Sequence, residues 1–307
     1  MRFYLLDRIV EVVPRKSIRA AKLVSLLDPV LEHHPSAGPV LAPALVLEAI
    51  NQAAGWIAVI TSDFTRRLVP GVWRRIAISR PAPVGERLDI TVEVDNWSED
   101  GVEVSGEASC RGEPVVRAEG GLFFFVDAAE WEDPKLTRRH HGWIYRGDAS
   151  LPDMPAPPSP VAGASVSNPG AYKWVPYDVL ATLIPGEMAA ARKSIVMTDS
   201  IFVNHFRRTP VVPGVFLIQS MLDVCRALLA ASSRSGAFWR PATMQAVRFQ
   251  KRVRPGDLLI IEARLKDMDE QGASLTCEGR VGGERAITLR SATFLAEPQA
   301  AALGGER

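Results

Sequence analysis

The chain repeats itself at one fixed spacing, and no other feature limits its fold as strongly. His34 and His205 stand 171 positions apart, and the same offset carries Asp7 onto Asp178, Pro14 onto Pro185 and Lys22 onto Lys193. It continues through Pro39-Val40 and Pro210-Val211, Gly85 and Gly256, Leu88 and Leu259, to Phe123 and Phe294. Single Pro or Gly coincidences are cheap, but one register held over this distance means two copies of one unit with little net insertion. Each copy must then build the same kind of core.

Both copies read alike. A short apolar stretch ends near an Asp and a Pro turn ("YLLDRIVEVVP", "VPYDVLATLIP"), and a second follows ("SIRAAKLVSLL", "MAAARKSIVMT"). Next comes a loop holding the repeated histidine, then one long apolar run ("ALVLEAINQAAGWIAVITSDF", "VFLIQSMLDVCRALLAASS"). Strand-like runs complete the copy: "DITVEVDNWSEDGVEVSGEAS" with "VVRAEGGLFFFV", and "LLIIEARLKDMDEQGASLTCEGRV" with "AITLRSATFLA". Their Asp/Glu/Gly interruptions are hairpin chemistry. A helix apolar nearly all round must be wrapped, and an antiparallel sheet curling over it does so. The expected class is α+β, with two antiparallel sheets each wrapping a long central helix. The boundaries read as one unit over 1–126, a linker over 127–170, a second unit over 171–297 and a tail over 298–307. The linker contains "LPDMPAPPSPVAGASVSNPG", too rich in Pro, Ser and Gly for a regular element. At roughly 3.3 Å per residue it can cross a domain and let the copies pack side by side.

Charge excludes some functions. Lys plus Arg number 36 and Asp plus Glu 35, so a net +1 argues against a general nucleic-acid or membrane-surface binder. Cys110, Cys225 and Cys277 show no redox or metal spacing, which suits reduced thiols and a cytoplasmic setting. The N-terminal run carries Asp7 and Glu11 and does not read as a signal peptide. The stretch from Pro39 to Thr61 contains Glu48, Asn51 and Gln52 and reads as a buried helix rather than a membrane span. No metal site is expected: His140-His141 lacks convergent Cys or acid spacing and reads as surface, as does His33.

The segment "NHFRRTPVVPGVFLIQ" sets His205 in a short loop, then Pro213-Gly214, then helix. Gln219 stands fourteen residues after His205, where copy one places Glu48 fourteen after His34. An acid on an apolar helix is costly to bury without purpose. This pattern resembles the signature of the hot-dog-fold β-hydroxyacyl-ACP dehydratases, His-Phe-x-x-x-Pro-Val-x-Pro-Gly leading into the central helix, with an acid fourteen residues after the His. "FYLLDRIVEVVPRKSI" and "KRVRPGDLLIIEARL" resemble the family's opening strand and its Pro-Gly-Asp turn.

The resemblance covers both copies and implies a double hot-dog packed as an intrachain pseudo-dimer. In that family each site takes its His and backbone donor from one domain and its acid from the other. One composite site would hold His205, Gly214 and Glu48. The other would hold His34, Pro43 and Gln219, lacking both the acid and, since proline has no N–H, the donor. The implied reaction is loss of water from a 3-hydroxyacyl thioester. His205 would act as base, the Gly214 N–H at a helix start would steady the thioester oxygen, and Glu48 would be the acid. Phe206, Val211, Pro213 and Phe216 are expected to line the acyl channel. The substrate would arrive on the phosphopantetheine of an acyl carrier protein, with no other cofactor. Arg207 and Arg208, or Arg248, Lys251, Arg252 and Arg254, are candidates to dock it. Pairing of two such pseudo-dimers into a homodimer stays open. So do two rival functions, a hot-dog thioesterase and a non-catalytic acyl-thioester or carrier-protein binding subunit.

Overall fold

A computed structural model of the chain describes residues 4–145, 174–203, 205 and 208–298. Phe206, Arg207 and the Pro-rich stretch lie outside the described residues.

The first unit opens with β1 (Arg8–Val13) and β2 (Ser17–Leu23), followed by the short β3 (Leu31–His34) and β4 (Gly38–Leu41). Helix α1 (Pro43–Thr61) precedes β5 (Arg66–Ile78), β6 (Ala82–Pro83), β7 (Arg87–Trp97), β8 (Gly101–Cys110) and β9 (Glu113–Asp127). The second unit repeats the plan with β10 (Val179–Ile184), β11 (Met188–Ser194), α4 (Gly214–Ser232), β12 (Phe238–Phe249), β13 (Leu258–Met268), β14 (Gly272–Val281) and β15 (Glu284–Glu297). Between them stand two further helices, α2 (Ala128–Trp131) and α3 (Pro134–Ile144).

The fold is α+β, a double hot-dog. Its two sheets are joined edge to edge into one twelve-stranded antiparallel sheet in the order β1-β2-β7-β8-β9-β5-β12-β15-β14-β13-β11-β10, while β3, β4 and β6 form a small separate sheet. The long order reads the same from either end once each element is replaced by its repeat partner, so a pseudo-twofold axis runs between β5 and β12. Their register proves the symmetry. Thr243 pairs with Ala77 and Arg248 with Val72, and the 171-residue offset interchanges those two pairs. Irregularities repeat as well, at Ile9/Glu11 and Leu180/Thr182, at Val94/Asn96 and Leu265/Asp267, and at Pro70/Val72 and Pro241/Thr243. A bulge places one extra residue on one strand and bends it, so these shared positions give the two sheets the same curl.

Each central helix is nineteen residues long and is wrapped by its own sheet. Ala44, Leu45, Leu47, Ile50 and Ala53 of α1, and Phe216, Ile218, Met221, Leu222 and Leu228 of α4, are fully buried, and the two helices pack on one another. Both are apolar and long enough to cross a membrane by composition alone, yet most of each is covered by protein. The seam strands bury Trp73, Ile76, Met244 and Val247 completely.

One expectation fails. Residues 127–170 do not form a linker throughout, because α2 and α3 occupy its first third. Asp127 and Asp133 cap them, their carboxylates accepting from the Ala129 and Lys135 N–H groups. Pro134 opens α3, where its missing N–H costs nothing. His140 is correspondingly not a surface residue: it is buried, with its ring 3.6 Å from that of Tyr4 and 5.4 Å from that of Trp56. His141 is half-buried and stacked on Tyr145, and burial lowers its pKa.

Because the seam joins both sheets, the halves should unfold together. Met244→Ala, which opens a cavity opposite Ile76, should cost about 2–5 kcal/mol. In a denaturant titration it should move one cooperative transition rather than split it. Two separate transitions would contradict the shared seam.

Candidate active site

The repeat carries the His205 loop across the pseudo-twofold to the first turns of α1. His205, Val211, Pro213 and Gly214 from the second half and Glu48 from the first all line one cavity of about 360 Å³. Phe123, Phe124, Trp56, Val59, Leu217 and Phe249 supply much of its apolar wall.

The loop is pinned at its two ends by the same two residues. Val211 N–H donates to the His205 carbonyl (3.4 Å), and His205 Nδ1 lies 3.0 Å from the Val211 carbonyl oxygen. A carbonyl only accepts, so Nδ1 carries the ring proton and Nε2 keeps the lone pair. Burial, aided by the nearby Arg67 charge, lowers the His205 pKa to about 4 against opposing contributions from the Val211 carbonyl and Glu132. The imidazole is therefore neutral at pH 7, with its basic nitrogen fixed.

Glu48 is held differently. Asn51 Nδ2 donates to Oε2 and Gln52 Nε2 to Oε1, both at 3.1 Å, from positions three and four residues along α1. Each amide is itself anchored: Trp73 Nε1 donates to Asn51 Oδ1 (3.1 Å) and the Leu5 N–H to Gln52 Oε1 (2.8 Å). Burial raises the Glu48 pKa to about 7, and the two amides oppose the rise. The site thus pairs a neutral base with a carboxyl that is substantially protonated near neutrality. Asn51 and Gln52 looked like mere interruptions of an apolar stretch; their i+3 and i+4 spacing from Glu48 is the signal that would have found them.

Gly214 begins α4, after Pro213, with no side-chain cap. First-turn N–H groups have no partner inside a helix and carry the positive end of its dipole. A Cβ at this position would sit 2.4 Å from Phe249 Cε1, so the aromatic ring itself excludes a larger residue here. Phe216 does not line the channel. It is fully buried and stacked on Trp174 at 4.7 Å, turned toward the core of its own sheet. Phe249 takes that wall position instead, carried there by strand β12, whose Pro241 and arginines disguise it in the sequence.

The mirror site is closed. His34, Pro43, Glu32 and Arg226 line a space of only about 20 Å³. Arg226 grips Glu32 with both terminal nitrogens (2.8 and 2.7 Å) and reaches Asp223 at 2.9 Å. Gln219 Nε2 donates to Glu32 (2.7 Å) and Asp223 (3.1 Å), so it ties α4 to β3 rather than to α1. His34 has the opposite ring polarity to His205. Its Nδ1 accepts from the Ser36 N–H at 3.4 Å, and its Nε2 lies 3.0 Å from a Glu297 carboxylate oxygen, outside hydrogen-bond geometry. The acid lining this space, Glu32, is held by Arg226 and Gln219.

Helices α2 and α3 close over the open cavity. Trp131, Glu132 and Thr137 line it. Arg208 donates to the Ala129 carbonyl (2.6 Å) and Thr209 to that of Glu130 (3.2 Å), so Arg208 holds α2 against the His loop. Lys251 and Arg252 are exposed on the cavity rim, with Arg252 lying 4.6 Å over Trp131.

A FabA-like domain profile matches residues 181–289. The 3-hydroxyacyl-[acyl-carrier-protein] dehydratase FabZ of Latilactobacillus sakei is 32% identical over 130 residues, covering 92% of that protein and 42% of this chain. The chain belongs to this hot-dog dehydratase family, with each repeat about the size of one relative. The fold as a whole is similar to a putative oleoyl thioesterase from Lactobacillus plantarum (TM-score 0.57, 10% identity, 92% of this chain and 97% of that one). It is also similar to the pyran synthase domain from module nine of the sorangicin pathway (TM-score 0.53, 15% identity, 97% and 99%). At such identities these two likenesses describe the fold alone.

The Glu48 pKa makes a stability prediction. Because the folded value (about 7) lies above the unfolded one (about 4.3), ionising this carboxyl costs folding energy that grows as pH rises through that window. Glu48→Gln should therefore stabilise the protein more at pH 8 than at pH 5, by an amount on the order of 1–3 kcal/mol. An equal thermal shift at both pH values would show that Glu48 is solvated.

Proposed function

We propose that the chain removes water from a 3-hydroxyacyl thioester carried by acyl carrier protein, giving the trans-2-enoyl thioester, at a single composite site. The observation that carries this reading is the convergence of His205, Gly214 and Glu48, from two repeats, on one cavity whose mirror image is closed. His205 Nε2 takes the proton next to the thioester carbonyl. The first-turn N–H at Gly214 and the α4 dipole steady the charge that develops on the thioester oxygen, where loss of such a donor typically costs 10²–10³ in rate. Glu48, protonated, gives its proton to the departing hydroxyl, and water leaves. Reversal of the same transfers hydrates the enoyl thioester. The units 1–126 and 171–297 act as the two partners of the pseudo-dimer, and a cytoplasmic setting belongs to the same reading. Family membership supports the reaction class. The thioesterase alternative draws on fold likeness and on Glu48, an acid that could activate water, whereas the fixed His205 base and the Gly214 N–H favour water elimination.

The test is incubation with 3-hydroxyacyl- and 2-enoyl-pantetheine thioesters. Interconversion is expected, and release of free thiol or binding without turnover would contradict the proposal. Dehydration should need His205 unprotonated, hence pH above about 4, and Glu48 protonated, hence pH below about 7. A bell between those limits is predicted. His205→Asn and Glu48→Gln should each lower kcat by roughly 10²–10⁴, with Glu48→Gln removing the alkaline limb.

The carrier protein is expected to approach over the exposed Lys251, Arg252 and Arg254. Charge reversal at Lys251 and Arg254 should lower kcat/KM for the carrier-bound substrate more than for the pantetheine thioester, and more so at low salt. An unchanged ratio would place the carrier elsewhere.

A further inference from the structure

The cavity is not uniformly apolar. On the side closed by α2 and α3 it carries an ion pair, Arg67 Nη1 to Glu132 Oε2 at 3.0 Å, with both side chains less than one-fifth exposed. Glu132 also accepts from Thr137 Oγ1 (3.2 Å) and the Tyr4 hydroxyl (3.3 Å). All four residues line the cavity. Charges kept this far from water need polar company, and a saturated chain laid over them would deny it.

Position and charge narrow what such a cluster meets. Thr137 is only 5% exposed, so the cluster sits inside the cavity wall, although the rim residue Arg252 lies over Trp131 beside it. Arg67 and Glu132 also lie close enough to His205 to act on its charge. A polar group meeting them would therefore stand only a short way along the chain from the reacting carbons. The pair is neutral overall. A carboxylate there would face Glu132 and an ammonium would face Arg67, whereas a neutral oxygen can accept from one side and donate to the other.

We propose that Arg67, Glu132, Thr137 and Tyr4 form a specificity subsite for a hydroxyl on the acyl chain beyond its 3-position, the group that can accept from Arg67 and donate to Glu132. This rests on the dehydratase reading and narrows it: the natural substrate is an oxygenated chain rather than a plain fatty acyl group. Arg67 and Tyr4 belong to the first repeat, whereas Glu132 and Thr137 come from the α2–α3 segment, which belongs to neither, so half of the cluster is an addition to the duplicated unit.

The test compares 3-hydroxyoctanoyl- and 3,5-dihydroxyoctanoyl-pantetheine with the full chain. A preference of about tenfold or more in kcat/KM for the dihydroxy thioester is expected, since a site built to hydrogen-bond an oxygen rejects the chain lacking it. The preference should shrink in Glu132→Gln, and in Thr137→Val should that first variant misfold. Equal kcat/KM for the two thioesters, or a preference that neither variant changes, would overturn the subsite. So would variants that alter only the choice between pantetheine and N-acetylcysteamine thioesters, which would assign the cluster to the carrier arm. Calorimetry with the unreactive thioether analogues separates the two levels. Failure of water elimination with the binding preference intact would sink only the dehydratase reading, and equal binding would sink the subsite.

Discussion

The pairing of β5 with β12 holds the whole arrangement in register. The five strands on either side could wrap their helices without it, but this seam joins the two sheets edge to edge and sets one repeat against the other. Its symmetry has a direct chemical result. A twofold axis sends the loop before α4 to the start of α1 and, equally, the loop before α1 to the start of α4. Each repeat is therefore incomplete by construction. On the proposed reading, only one of the two composite sites is complete. Loss of the acid at Gln219 and of the N–H at Pro43 falls on one side of the axis, while the other side keeps a full set.

The closed mirror space is rich in interactions of its own. It holds Glu32, Arg226, Asp223 and Gln219 in one connected network that crosses between the repeats. Such a network is costly to bury and harmful to break, since removing one partner strands the others. It gives the second site a role in holding the halves together and leaves little space for substrate. The two histidines show the same divergence on a smaller scale. His205 has its Nδ1 proton committed to a carbonyl, whereas His34 accepts at Nδ1 and turns Nε2 toward Glu297.

Much of this was legible in the sequence. The 171-residue offset revealed the duplication, and the positions of Glu48, Gly214, Pro43 and Gln219 showed which composite site could be complete. What escaped notice had physical reasons. The seam strands β5 and β12 carry Pro70 and Pro241 and several arginines, which argue against a central strand. Both prolines sit at the bulges, where the ladder is already interrupted. The α2–α3 segment is polar, short and next to a Pro-rich run, so composition alone made it a linker. Its order comes from Asp caps and from contacts with Tyr4, Trp56 and the His loop that are distant in sequence. Phe216 was misplaced for a related reason, because a helix apolar nearly all round does not announce which face meets the cavity.

The central claim is that one chain of two repeats offers one working site. Its most direct measurement is the stoichiometry with which an unreactive 3-hydroxyacyl-pantetheine thioether binds the intact chain in calorimetry. One ligand per chain is predicted, since the mirror space is only about 20 Å³. Two equivalent ligands per chain would contradict the account, because the Glu32–Arg226 network would then have to open as readily as the cavity between His205 and Glu48.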